Sequence, residues 1–226
     1  MSTEALAVPT QSMAKYATDD AFNALAKSND FLPRFALYGS NSNACKKAQI
    51  GIGHYGYTEG DNIIDCGAEV RCYVVSLRLK AMRITNDKVE AYFNPDHPEF
   101  KRIKAESNIK DTGALCGPEF LLWLPEQKVF VTFFMANKTM RREAPIVRSY
   151  MPSAESPNAK PMTLKVQLIE KGTYLWHGPI VTGCSIPLAA PDPETLVTEL
   201  EKFNNPPEPK DEAAGASEKQ ATGRAR

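Results

Sequence analysis

Aromatic and cationic side chains are interleaved through much of this chain, and that pairing has a chemistry. Tyr55, Tyr57, Tyr73, Tyr92, Phe93, Trp123, Phe130, Phe134, Tyr174 and Trp176 lie in or beside segments that read as strands, with Arg71, Arg78, Lys80, Arg83, Lys138, Arg141 and Arg142 near them. A single-stranded nucleic acid needs both kinds of partner. Each base has a π-face that stacks on an aromatic ring, worth about 1–3 kcal/mol, and each phosphate needs a cation or a backbone N–H. Alternate residues of a strand share one surface, so a sheet can present the two together. The same rings also build interiors: Trp123, Phe130, Phe133 and Phe134 are of the type that fills a core, and Lys138-Thr139-Met140-Arg141-Arg142 reads equally as a solvated helix face. Tyr55 and Tyr57 neighbour Gly51, Gly53 and Gly56, where the backbone is open to close approach. Tyr174 and Trp176 are two apart and share a face. The candidate stacking residues are therefore Tyr55, Tyr57, Tyr73, Tyr174 and Trp176. The candidate phosphate contacts are Lys46, Lys47, Arg78, Lys80, Arg141 and Arg142.

Other chemistries find little support. Gly51-Ile52-Gly53-His54-Tyr55-Gly56 fits the letters of a dinucleotide loop, but no helix is expected after it and no βαβ unit surrounds it. There is no P-loop, no G-x-S-x-G and no H-E-x-x-H. Glu59, Asp61 and Asp65 could gather around a cation, although Gly60 and Asn62 favour a solvated turn. The five cysteines, odd in number, are widely spaced and form no C-x-x-C, which points to a reducing compartment and away from a disulfide framework. His54, His97 and His177 are isolated from one another. The expectation is a chain with no catalytic residue, no metal and no cofactor.

The formal net charge of zero hides a pattern. Residues 128–177 carry eight basic against three acidic side chains and residues 70–110 nine against five, while residues 178–226 carry five against eight. Basic middle segments permit a local basic face. No run of 18 apolar residues exists, and Met1–Val8 lacks the features of a signal peptide, so a cytoplasmic protein with no membrane partner is expected.

The elements that must position these side chains read as mainly β. Residues 1–30 suggest a flexible arm, with one or two helical turns over Asp19–Lys27, and residues 206–226 a disordered tail. Between them, Phe31–Tyr38 reads as extended and Gly39–Asn43 as a loop, and Gln49–Tyr57 as a glycine-interrupted strand. Val70–Thr85 is the clearest strand, with Val75, Leu77 and Leu79 on one side and Ser76, Arg78 and Lys80 on the other; its length suits a bent strand serving two halves of a small barrel. Val89–Phe93 is its hairpin partner. Glu119–Leu124 and Lys128–Ala136 form a second hairpin, whose second arm is apolar on both faces and so central. Leu164–Ile169 pairs with Thr173–His177, with Leu164, Val166 and Leu168 inward, and Ile180–Cys184 closes the set. Helices are expected over Pro98–Ser107, over Asn137–Val147 where Pro145 limits it, and over Pro193–Phe203 with Asp192 as N-cap. Seven or eight short strands with two or three helices favour a barrel or sandwich with appended helices over residues 31–205.

Several segments of that span resemble the single-stranded DNA-binding proteins encoded by tailed phages. They are Phe31-Leu32-Pro33-Arg34 with the Ser40-Asn41-Ser42 loop, Gly117-Pro118-Glu119-Phe120, Phe133-Phe134-Met135 leading into Arg141-Arg142-Glu143-Ala144-Pro145, and Tyr174-Leu175-Trp176-His177-Gly178-Pro179. The resemblance implies an oligonucleotide/oligosaccharide-binding (OB) type barrel elaborated with extra strands and short helices. It implies sequence-independent binding of single-stranded DNA in phage replication, recombination or repair, with replication or recombination proteins as partners and a homo-oligomer as one possible state. The acidic tail common among such proteins is missing: residues 206–226 carry four basic and four acidic side chains. The alternative is a virion structural or assembly protein on a β-sandwich, with the same rings as core and the arm gripping a neighbour.

Overall fold

The computed structural model describes residues 32–85, 89–109, 112–153 and 159–206. The expected arm and nearly all of the expected tail lie outside the described residues. The strands are β1 (Arg34–Tyr38), β2 (His54–Glu59), β3 (Asn62–Gly67), β4 (Glu69–Ile84), β5 (Val89–Tyr92), β6 (Ala114–Leu124), β7 (Val129–Phe134), β8 (Pro161–Lys171) and β9 (Tyr174–Gly183). The helices are α1 (Asn43–Lys46), α2 (Pro98–Glu106), α3 (Lys138–Arg148) and α4 (Pro193–Asn204). All nine strands belong to one sheet in the order β3-β2-β1-β7-β6-β4-β8-β9, with β5 paired to β4. The β1/β7 pair is parallel and every other pair is antiparallel.

The mainly β architecture with added helices matches the expectation, but the sheet is open. Among the described residues no ladder joins β3 or β2 to β8 or β9. The sheet instead curls until its two ends meet through side chains. Phe35, Tyr55 and Tyr57 of β1 and β2 share one buried core with Met162, Leu164 and Val181 of β8 and β9, and with Ala144 and Val147 of α3. The Tyr55 hydroxyl donates to the Lys165 carbonyl at 3.1 Å. Gly53, at φ +76°, lies so close to the His177 ring that a Cβ there would stand 2.8 Å from it.

The strand β4 does serve two halves. One edge pairs with β6 almost throughout; the other pairs with β8 over Glu69–Tyr73 and with β5 over Ala81–Ile84. Its facing differs from a simple alternation because the register to β6 slips between Val74 and Ser76, leaving Val75 as an extra residue. The slip inverts the parity of the strand. Val70, Cys72 and Val74 reach the main core, and so does Leu77, whereas Val75 packs on the opposite side with Leu121, Trp123 and Phe203, and Leu79 is exposed. That opposite side is covered by α4 and the segment before it: Trp123 Nε1 donates to Ala189 O at 2.9 Å, and Tyr73 Oη to Leu188 O at 3.0 Å. On the main-core side, the far half of β4 and β6 is covered by α2, through Phe100 and Ile103 against Ala81 and Ala114.

β7 lies between β1 and β6, as its two apolar faces predict. Four local readings are corrected. The segment before β2 holds the short helix α1, capped by Ser42, and the strand begins only at His54. β9 runs unbroken from Tyr174 to Gly183, and Leu168 of β8, expected inward, is 57% exposed because the hairpin end projects past the core. α3 continues through Pro145 to Arg148. The proline costs one hydrogen bond, and Arg141, whose carbonyl would have accepted it, is exposed to water.

Candidate nucleic-acid interface

The structure divides the predicted site residues sharply. Tyr55 is fully buried, stacked on Phe35 with ring centroids 5.3 Å apart and edge-on to Phe133. Burial pushes its phenol far above the usual range. Tyr57 is 7% exposed and belongs to the same core. Neither can stack on a base. The neighbouring glycines serve packing and not ligand access: a Cβ on Gly56 would stand 2.5 Å from Ile50 Cδ1 and 2.8 Å from Ile64 O. Tyr73 is half-buried against Trp123 and Phe203, with its hydroxyl spent on Leu188. Tyr55→Phe is expected to cost about 1 kcal/mol in urea unfolding, the net worth of one hydrogen bond, and to leave oligonucleotide affinity unchanged.

Arg78 and Lys80 are likewise absorbed. The β4/β6 register sets Arg78 opposite Glu119, and both cations converge on that carboxylate: Arg78 Nε donates to Oε2 at 2.7 Å and Lys80 Nζ to Oε1 at 2.6 Å. Glu119 is 1% exposed. Burial alone would raise its pKa, but Lys80 and Arg78 outweigh it and hold the carboxyl below its ordinary value. The Arg78 guanidinium lies between the Phe93 and Phe203 rings, 3.9 and 4.2 Å from their centroids, and also donates to the Phe203 carbonyl. No sequence pattern shows this trio, because Glu119 is about 40 residues away and only strand pairing joins them.

The acidic turn is structural too. Asp65 accepts from Gly67 N at 2.7 Å, Gly51 N at 3.3 Å and His54 Nδ1 at 2.9 Å. Its partial burial works against ionisation, yet the His54 and backbone hydrogen bonds prevail and lower its pKa. Among the described residues no cluster of His, Cys, Asp or Glu has the makings of a metal site, and no helix is long and apolar enough to cross a membrane.

Four candidates lie elsewhere, on α3 and β9, two elements that meet through Thr139 and Trp176. Asn137 caps α3 by accepting from Met140 N at 2.8 Å, and Met140, Ala144 and Val147, at helical spacing, turn toward the core. Arg141 and Arg142 are left exposed, with no ion pair among the described residues. Thr139 on the same helix accepts from Trp176 Nε1 at 3.2 Å, which docks the half-buried indole of β9 beside the basic helix. Tyr174, two residues back on that face, is 66% exposed. No protein-family model matches the chain, and no curated protein or solved structure does either. The β8/β9 register adds Lys171, paired with Tyr174 and exposed, to the same face. Lys46 and Lys47 are exposed on α1 and its C-cap, a separate element. Sequence reasoning missed Thr139 as the anchor of Trp176, since 37 residues separate them.

Proposed function

We propose that this chain binds single-stranded DNA without sequence preference, in replication, recombination or repair, through the β9 arm and the outer face of α3. The reading rests on one observation: Trp176, tethered to Thr139, docks the β9 arm with its exposed Tyr174 against α3, whose exposed Arg141 and Arg142 make no ion pair among the described residues. Rings held by a hydrogen bond and by the sheet lose little freedom when a base stacks on them. The curl of the sheet, with Tyr55 bridging to Lys165, supports reading it as an opened OB-like barrel elaborated with extra strands.

Oligo-dT titration followed by tryptophan fluorescence tests it. Trp123 is 7% exposed, so Trp176 is the indole that a bound base can reach. Quenching is expected, with affinity falling as salt rises. Trp176→Phe should abolish the quenching while a gel shift persists. Trp176→Ala should weaken binding by about 1–3 kcal/mol, the worth of one stacked base. Tight binding to duplex but not to single strands would count against the proposal.

One observation favours the virion structural or assembly reading. Leu168 and Leu175 are 57% and 59% exposed, and the β8/β9 register puts them on the hairpin face away from Trp176. Aliphatic side chains suit a protein partner better than a base. Concentration-dependent assembly on a sizing column, with no oligonucleotide shift, would favour that reading.

A further inference from the structure

The outer face of α3 leads away from β9 as well as toward it. At 3.6 residues per turn, Thr139 and Arg141 fall on opposite flanks of the buried Met140-Ala144-Val147 stripe. Lys138 and Arg142 lie between them on the solvent side. The Thr139 flank meets Trp176. The Arg141 flank faces the other way.

Two contacts fix the neighbourhood of Cys116 of β6. Gly117 backs onto Met135 and Ala136, the residues that lead into α3; a Cβ there would stand 2.6 Å from Met135 O and 3.0 Å from Ala136 Cα. Only glycine lets β6 and the start of α3 come so close. Cys116, next to it, is half-buried and packs against the cluster that Phe100 and Ile103 of α2 form with Ala81 and Ala114. Lys104 follows Ile103 on that helix, exposed and without an ion pair among the described residues. Burial raises the Cys116 thiol, while Lys104 and Arg141 both pull it down, so both cations act on this one group.

We propose that the nucleic-acid track runs from Tyr174 and Trp176 across the solvent face of α3 to Lys104 of α2, passing over Cys116, with Arg141 and Lys104 each holding one phosphate. This rests on the single-strand reading above. Crossing a helix spans about 10–12 Å, so the strand would be held well beyond the aromatic contact. The acidic members of α2 do not oppose it: Glu106 pairs with Arg83 and Glu99 with Arg102.

The test uses the full chain, oligo-dT and two readouts. Each phosphate contact on a single strand contributes about 0.7 to the slope of log affinity against log salt. Lys104→Ala and Arg141→Ala should each flatten the slope by about that amount, and Lys104→Arg should restore it. A merely structural lysine would not move the slope. Alkylation mapped by peptide mass should show Cys116 protected by oligo-dT, with Cys45, on α1, reacting as before. Wild-type binding with unchanged slopes in both alanine variants overturns the track and leaves the binding function standing. Absence of any binding by the wild-type protein overturns both.

Discussion

Glu119→Gln is expected to destabilise the fold by about 3–5 kcal/mol, because it strips the counter-charge from two cations already removed from water. Arg78 and Lys80 are 14% and 16% exposed and have no other carboxylate within reach among the described residues. Phe93, Phe203 and Phe134 lie against them and offer only ring faces, worth about 0.5–2 kcal/mol each. Replacing all three charged residues together, as Arg78→Met, Lys80→Met and Glu119→Leu, should give a protein as stable as the parent or about 1–4 kcal/mol more stable, since no charge is then left buried. Urea unfolding of the two variants separates the readings. A single variant that loses less than about 1 kcal/mol would show the trio to be solvated.

The pH dependence has a defined sign. The Glu119 carboxyl is held below its ordinary value in the folded state, against the opposing pull of its burial. Its contribution is therefore fully present above the unfolded-state pKa, about 4.3, and is lost as pH falls through the lower folded value. The gap between parent and Glu119→Gln should stay constant from pH 7 to about pH 5 and close in more acid solution. A gap that widened on acidification would contradict the assignment.

Phe203→Ala is the second large effect, at about 3–5 kcal/mol. The ring is fully buried near the end of α4, against Leu121, Trp123 and Phe130. Its loss opens a cavity on the side of the sheet that α4 covers. Phe203 also anchors the helix to the charged trio, through the guanidinium over its ring and the Arg78 donation to its carbonyl. That carbonyl lies in the last turn of α4, where a cation offsets the helix dipole. Limited proteolysis should cut Phe203→Ala faster between Asp192 and Asn205. Oligonucleotide binding should survive at temperatures where the variant is folded, because α3 and the β9 arm lie away from α4. Loss of binding in a folded variant would place the interface on the α4 side instead.

Local order was legible wherever it depends on neighbours in the chain. The proline-led start of α2, the cap of α4, the two-sided apolar run of β7, and the β4/β5, β6/β7 and β8/β9 hairpins follow from turn residues, proline placement and a period of two. The sites were not legible in the same way. Tyr55 and Trp176 both stand in strand patterns, and glycine beside Tyr55 suggested an open surface. The curl of the sheet placed Phe35 and Phe133 around Tyr55, whereas the end of the β9 arm ran past the core and left Tyr174 in solvent.

Residue types and spacing by themselves determined a mainly β chain with capped helices, basic central segments and no recognised catalytic motif. Only the tertiary structure decided which cations are spent on Glu119 and which are exposed on α3, and which rings are core. The reason is physical: burial and ion pairing depend on contacts between segments tens of residues apart. A single extra residue, Val75, inverts the facing of half a strand, and no local pattern carries that information.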